Sequence, residues 1–228
     1  GEFEKPAGGD LDGTVARMVD AVRRVPRREE RRPLVGIVGE IYVRSNSFIN
    51  MNLYRRIEEL GGEAWLAPLS EWILYTHENL RLVAHAEGSG PLRRLGIWLE
   101  SHWFHTAEQR FYDLADPVLH DRREPPIREI MAEGGKYLPP EFEGEAILTL
   151  GRAALFHQRD HARAVVNASP MFCMPGTITT SIFPRLEREL GIPILCNFYD
   201  GSGDPNQSLV PCLHYLCEEM KAPRAARG

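Results

Sequence analysis

Cysteine is scarce in this chain. Four thiols in 228 residues cannot build the disulfide framework of a small secreted scaffold. Neither a C-x-x-C pair nor a C-x-x-C-x-x-C run occurs, so spacing encodes no complete zinc or iron–sulfur site. A run of about 18 apolar residues is missing, as is a charged-then-apolar leader of signal-peptide type. Positive charge is in deficit: 27 Lys and Arg stand against 32 Asp and Glu, a formal net charge of -5. No global field therefore draws nucleic acid or an anionic membrane, and neither is expected as a partner. The G-x-G-x-x-G and Walker patterns are absent, which leaves a dinucleotide or nucleoside triphosphate site unsupported. So are the G-x-S-x-G elbow and the H-E-x-x-H helix of self-contained hydrolases. Internal repeats and low-complexity tracts are likewise missing. These absences together predict a cytoplasmic chain whose thiols are reduced or engaged by a metal.

Apolar material is plentiful, at 43% of residues beside 26% charged, enough for a sizeable core. Gly1-Glu2-Phe3 reads as a cloning scar, and Pro6-Ala7-Gly8-Gly9 follows, so the chain is expected to be a piece of a longer one. Helical spacing of Val15, Met18, Val19 and Val22 gives way to the charged run Arg23–Arg32, read as a solvated connector. Residues 1–32 are thus a helical or disordered leader. Residues 33–220 are expected to form one α/β domain with a helical insertion at about 70–135, and 221–228 a tail.

The domain reading comes from four short runs. Leu34–Val38, Glu63–Ala67, Ala164–Ala168 and Ile192–Phe198 have the β-branched, apolar character of strands buried in a parallel sheet. Helical segments separate them: about Asn50–Leu60, an amphipathic stretch from Ala146 to Phe156, one after Gly176, and about Gln207–Met220. The alternation predicts an open parallel sheet of about four strands, flavodoxin-like in kind, with right-handed crossovers. The insertion carries Trp72, Ile73, Leu74 and Tyr75, then Leu92, Leu95, Ile97, Trp98 and Leu99, at helical intervals.

In such sheets ligands bind beyond the carboxyl ends of the strands. After the first strand the polar loop Arg44-Ser45-Asn46-Ser47 precedes a helix, so Ser45 and Asn46 are candidate cofactor-binding residues beside helix N-terminal amides; an ordinary turn looks the same. After the third strand, Cys173 stands in a Pro-bracketed loop directly ahead of a helix, where amide dipoles favour the thiolate that binds metal. A packing role for Cys173 remains the alternative. Cys196 reads as core, and Cys212 and Cys217, five apart on one helix, diverge by about 140°. His157 with His161, and His102 with His105, have metal-compatible spacings but read as surface pairs. Asp200 and Asp204 flank a glycine-rich turn and read as caps.

Several of these segments carry a resemblance. Val35-Gly36-Ile37-Val38-Gly39-Glu40-Ile41-Tyr42-Val43-Arg44, Glu58-Glu59-Leu60-Gly61-Gly62-Glu63 with Trp72, Gly144-Glu145-Ala146-Ile147-Leu148, Cys173-Met174-Pro175-Gly176-Thr177, and Tyr199-Asp200-Gly201 with Asp204 and Asn206 occur in one order. In that order the chain resembles the C-terminal domain of activase-related proteins of the 2-hydroxyacyl-CoA dehydratase and benzoyl-CoA reductase superfamily, over nearly all of Pro33–Leu216. The resemblance implies a flavodoxin-like domain in a system where an ATP-hydrolysing activator passes an electron to a [4Fe-4S] cluster. It implies Cys173 as the metal ligand of this domain, with the remaining ligands and the ATPase domain upstream of Gly1. An acyl-CoA dehydratase-type partner is implied too. The chain departs from the pattern at Ser208–His214 and at Ser202-Gly203, which makes Cys196 and Cys212 peculiarities of this chain. A non-catalytic regulatory or docking module, binding a partner subunit or a small anionic ligand, is the alternative from a different class.

Overall fold

The computed structural model describes residues 10–26, 30–119, 122–140, 142 and 144–221. Gly1-Glu2-Phe3, the Pro6–Gly9 stretch, Arg27-Arg28-Glu29 of the charged run and the tail after Lys221 lie outside the described residues. Two compact units are present, residues 1–30 with 73–125 and residues 31–72 with 126–228. No helix among the described residues is long and apolar enough to cross a membrane.

The larger unit is a four-stranded, all-parallel sheet, flavodoxin-like as the alternation predicts. Its strands are β1 (Leu34–Gly39), β2 (Glu63–Leu66), β3 (Ala164–Pro170) and β4 (Ile194–Tyr199), in spatial order β2-β1-β3-β4. Gly36 pairs with Trp65 on one side and with Val165 on the other; Asn167 pairs with Cys196. The two central strands are buried along nearly their whole length, as runs without polar alternation require.

Each face has its own core. On one, Val38, Val165 and Ile194 meet Leu150, Ala153, Ala154 and Phe156 of α7 (Ala146–Gln158) and Phe183 and Leu186 of α8 (Met174–Leu190). On the other, Val35, Ile37 and Val166 meet Leu53 and Ile57 of α3 (Leu53–Glu59) and Leu209, Leu213 and Leu216 of α9 (Leu209–Lys221). Gly36 has no side chain because the Phe156 ring lies against it: a Cβ there would sit 2.5 Å from the ring.

Two local expectations need correction. Ala146–Phe156 is not amphipathic, because every residue of it is buried. Its outer side is covered by α6 (Ile127–Gly134), so a stripe of Thr149, Gly151 and Arg152 that looks polar in the sequence packs inward as well. Arg44-Ser45 is not loop either, since Ile41–Ser45 forms a short helix, α2, capped by the Glu40 carboxylate. The cap explains it: Glu40 accepts the Tyr42 and Val43 amides at 3.0 and 2.8 Å.

The smaller unit is helical. It contains α1 (Leu11–Arg23), capped by Asp10, the part of α4 (Leu69–Ala86) after Trp72, and α5 (Pro91–Leu119). Within it α1 packs on α5, and Arg110 pairs with Asp12.

Candidate functional site

The strand order reverses between β1 and β3, and this switch point leaves a crevice at the carboxyl end of the sheet. The two strands approach closely there. Gly39 takes φ 110°, and a Cβ on it would lie 2.2 Å from the Ala168 carbonyl oxygen, so only glycine fits. The Glu40 amide then donates to that same carbonyl at 2.9 Å. This turn brings Glu40 opposite the loop that follows β3.

That second loop carries Cys173. Phe172 before it is left-handed, φ 63°, and 92% exposed. Strain at a bulky residue thrown into solvent marks a loop shaped for something other than its own packing. Cys173 is the N-cap of α8 but makes no capping bond with its side chain; Thr177 donates through its amide and hydroxyl to the Cys173 carbonyl instead. The sulfur is therefore uncommitted and half-buried. With Cys173, Glu40, Glu145, Thr149, Asn167, Ser169 and Thr179 line a cavity of about 10 Å³, room for about one water. The Glu145 carboxylate at its edge is held by the Trp72 indole N–H at 2.9 Å.

Other predicted positions separate from this crevice. Ser45 is the exposed last residue of α2, and Asn46 is its C-cap, so neither stands at a helix start; the Asn46 side chain accepts the Phe48 and Ile49 amides. Cys196 lies on β4, where burial pushes its thiol up against opposing hydrogen bonds from Thr180 and Asn167. Cys212 is on α9 and is also pushed up by burial; Cys217, one and a half turns on, lies 3.7 Å from the Leu60 carbonyl. His157 contacts the Ala162 carbonyl through Nδ1, and His102 stacks on Trp98. Asp204 caps the 3-10 turn Pro205–Ser208, while Asp200 accepts the Ser202 amide and hydroxyl. Among the described residues no group of three or more His, Cys, Asp or Glu is placed to hold a metal ion.

No protein-family model, curated protein or solved structure matches this chain. A functional reading therefore rests on the crevice and its rim.

Behind the crevice lie two buried polar networks that sequence reasoning did not single out. In the first, the Arg44 guanidinium donates to the Gly39 and Pro68 carbonyls at 3.3 and 3.2 Å. Burial pulls it below its usual value, opposed chiefly by the charge of Glu71. Glu71 pairs with Arg152 at 2.9 Å, both side chains almost fully enclosed, and Arg152 reaches Asp160 at 3.4 Å while lying 4.0 Å over the Phe156 ring. The only sequence signal was an arginine inside an apolar helical run.

In the second, Asn206 ties three segments together. Its amide nitrogen donates to the Asn50 and Met51 carbonyls, and its oxygen accepts from Tyr199 at 2.7 Å and from Asn197 at 3.3 Å. Burial pushes the Tyr199 phenol up to about 12, with an Asn197 hydrogen bond opposing and the Asp204 charge adding to the rise. The folded state thus keeps a proton that the unfolded chain loses near pH 10. Stability from this group is full below about pH 10 and is lost as pH climbs toward the folded value, on the order of 2 kcal/mol in all. Urea unfolding between about pH 9 and pH 11.5 should show this fall, and Tyr199→Phe should flatten it. Equal slopes for the two proteins would show that the phenol is not held in this way.

Proposed function

We propose that this chain is an iron–sulfur-cluster-binding or cluster-facing domain of an ATP-dependent electron-transfer system related to the 2-hydroxyacyl-CoA dehydratases, without catalytic activity of its own. The observation that carries the reading is Cys173: an uncommitted thiol at a helix start, on the wall of the switch-point crevice. The rim around it supports docking. Tyr42 on α2, Phe48 in the turn after it, Met171 and Phe172 in the loop after β3 and Met174 at the start of α8 are exposed, large apolar side chains on the segments that follow the two central strands, as recognition surfaces carry.

The residues present fit one corner of a [4Fe-4S] cluster and no more. A cluster takes about four thiolates, and Cys173 is the one cysteine lining the cavity, which no histidine lines, with no group of three or more possible ligands among the described residues. The other ligands would come from upstream domains of the parent chain or from an acyl-CoA dehydratase-type partner. When bound, such a cluster supplies one-electron chemistry at low potential. The part of this chain is to present one soft ligand and to shield it with the apolar rim.

The test is iron and sulfide analysis of the parent chain purified without oxygen, beside Cys173→Ser. Iron is expected in the first and loss or spectral change in the second, with the circular dichroism of both alike. A parent without iron, or a substitution that leaves iron and spectrum untouched, removes the cluster role. A metal-free docking or regulatory module is then the reading left, favoured by a cavity with room for one water and by the 92% exposed Phe172. In this chain alone, Cys173 is expected to alkylate before Cys196 and Cys212, whose thiols burial pushes up.

A further inference from the structure

Helix α5 runs for 29 residues and buries none of them. Helices in water draw most of their stability from a packed face rather than from intrinsic propensity; the later part of α5 has α1 against it, with Arg110 paired to Asp12 and Trp103 bordering the start of α1, while the part before Trp103 carries an apolar stripe left exposed among the described residues. One face shows what is missing. Leu92, Leu95, Leu99 and Trp103 are 84%, 51%, 52% and 72% exposed and, at 100° per residue, fall within an arc of about 80°. Together they present on the order of 500 Å² of apolar surface, at the upper end of what monomers leave bare. A standard interface takes about 800 Å² from each partner, which the flanks of this stripe would complete.

Gly96 lies on the edge of the same face. Glycine weakens a helix interior relative to alanine, and here a Cβ would meet no atom of the chain within 4 Å. Among the described residues nothing requires the absence of a side chain at this point; a second helix crossing closely over Gly96 would.

The charges on the flank select the occupant. Arg93 and Glu100 are seven residues apart on one side of the stripe, almost equidistant from the Gly96–Ile97 bond. Glu100 has no partner among the described residues, and Arg93 is held only at the surface, by Glu87 and Ser89. A two-fold axis near Gly96 would set Arg93 against Glu100 of a second copy twice over, while Leu95 meets Leu99 and Leu92 meets Trp103. Self-complementarity of this kind is what an isologous interface needs.

We propose that α5 is a homodimerisation surface on which two copies of the chain pack antiparallel, crossing at Gly96. Sedimentation equilibrium of the whole chain tests it. The chain is expected to sediment as a dimer well below about 100 µM. Leu99→Glu should raise the dissociation constant at least tenfold with unchanged helical circular dichroism. Glu100→Arg should weaken the dimer, and adding Arg93→Glu to it should restore the dimer, a rescue that damage to the fold cannot produce. A monomer at about 100 µM, a dimer indifferent to Leu99→Glu, failure of the charge exchange to rescue, or a mixed complex with a different chain seated on this stripe overturns the proposal.

Discussion

Arg152→Ala is expected to lower the unfolding free energy by about 3–5 kcal/mol, the range for removing one partner of a buried ion pair. The Arg152 side chain is 1% exposed and that of Glu71 3%, so the alanine variant removes the cation in contact with an enclosed carboxylate and leaves the Arg44 charge to oppose its desolvation. It also empties the space over the Phe156 ring. Against a total stability of about 5–15 kcal/mol for a domain, such a loss is large enough to unfold part of the population at 37 °C. Urea unfolding with an unchanged slope and a lower midpoint is the readout. Arg152→Met combined with Glu71→Leu removes both charges of the pair, and with them the carboxylate that opposes the desolvation of Arg44, so it should return part of the stability; Asp160 keeps Arg159 at 3.9 Å in that background. A single-variant loss under about 1 kcal/mol would mean that the pair is hydrated, contrary to the packing described.

Gly151→Ala is expected to cost about 3 kcal/mol, at the high end for overpacking. The added Cβ would stand 1.9 Å from the Ile130 carbonyl oxygen and 2.9 Å from the Gly134 amide nitrogen. Both obstacles are backbone, so no side chain can swing aside, and α6 must move off α7. Gly134 makes the reciprocal approach, its Cβ position lying 2.1 Å from the Ile147 carbonyl oxygen. Because one separation of the helices relieves both clashes, the double alanine variant should cost less than the two single losses summed. Thermal unfolding of the three variants gives the comparison. Additive losses would show that the two glycines act at independent places.

The sheet was legible in the sequence because buried parallel strands leave a strong mark. Leu34-Val35-Gly36-Ile37-Val38 and Ala164-Val165-Val166 are runs without polar alternation, the first bounded by Pro33 and Gly39 and the second followed by Pro170. Gly39-Glu40 and the Cys173 loop were found for the same reason, as unusual stretches placed after strands. What the pattern could not show was contact at long range. Arg152 looks like the polar edge of an amphipathic helix until Glu71 and Asp160 are brought to it. Arg44 looks like a loop cation until its helix is capped by Glu40 and its guanidinium turned toward the Gly39 and Pro68 carbonyls. Ser45 and Asn46 were misplaced by the same omission, since a five-residue helix has too few turns to show a period. The association of α1 with α5 joins segments about 90 residues apart, which no local spacing records.

The enclosure of α7 on every side also shapes how this chain tolerates genetic change. Eleven successive residues, Ala146 to Phe156, are buried, so an unbroken stretch of the coding sequence lacks the permissive outward positions that a surface helix offers every third or fourth codon. Missense changes there should be depleted among functional variants at all eleven positions alike. Along α8, where Gly176, Thr179, Phe183 and Leu186 are the buried residues, tolerance should instead rise and fall with the turn of the helix.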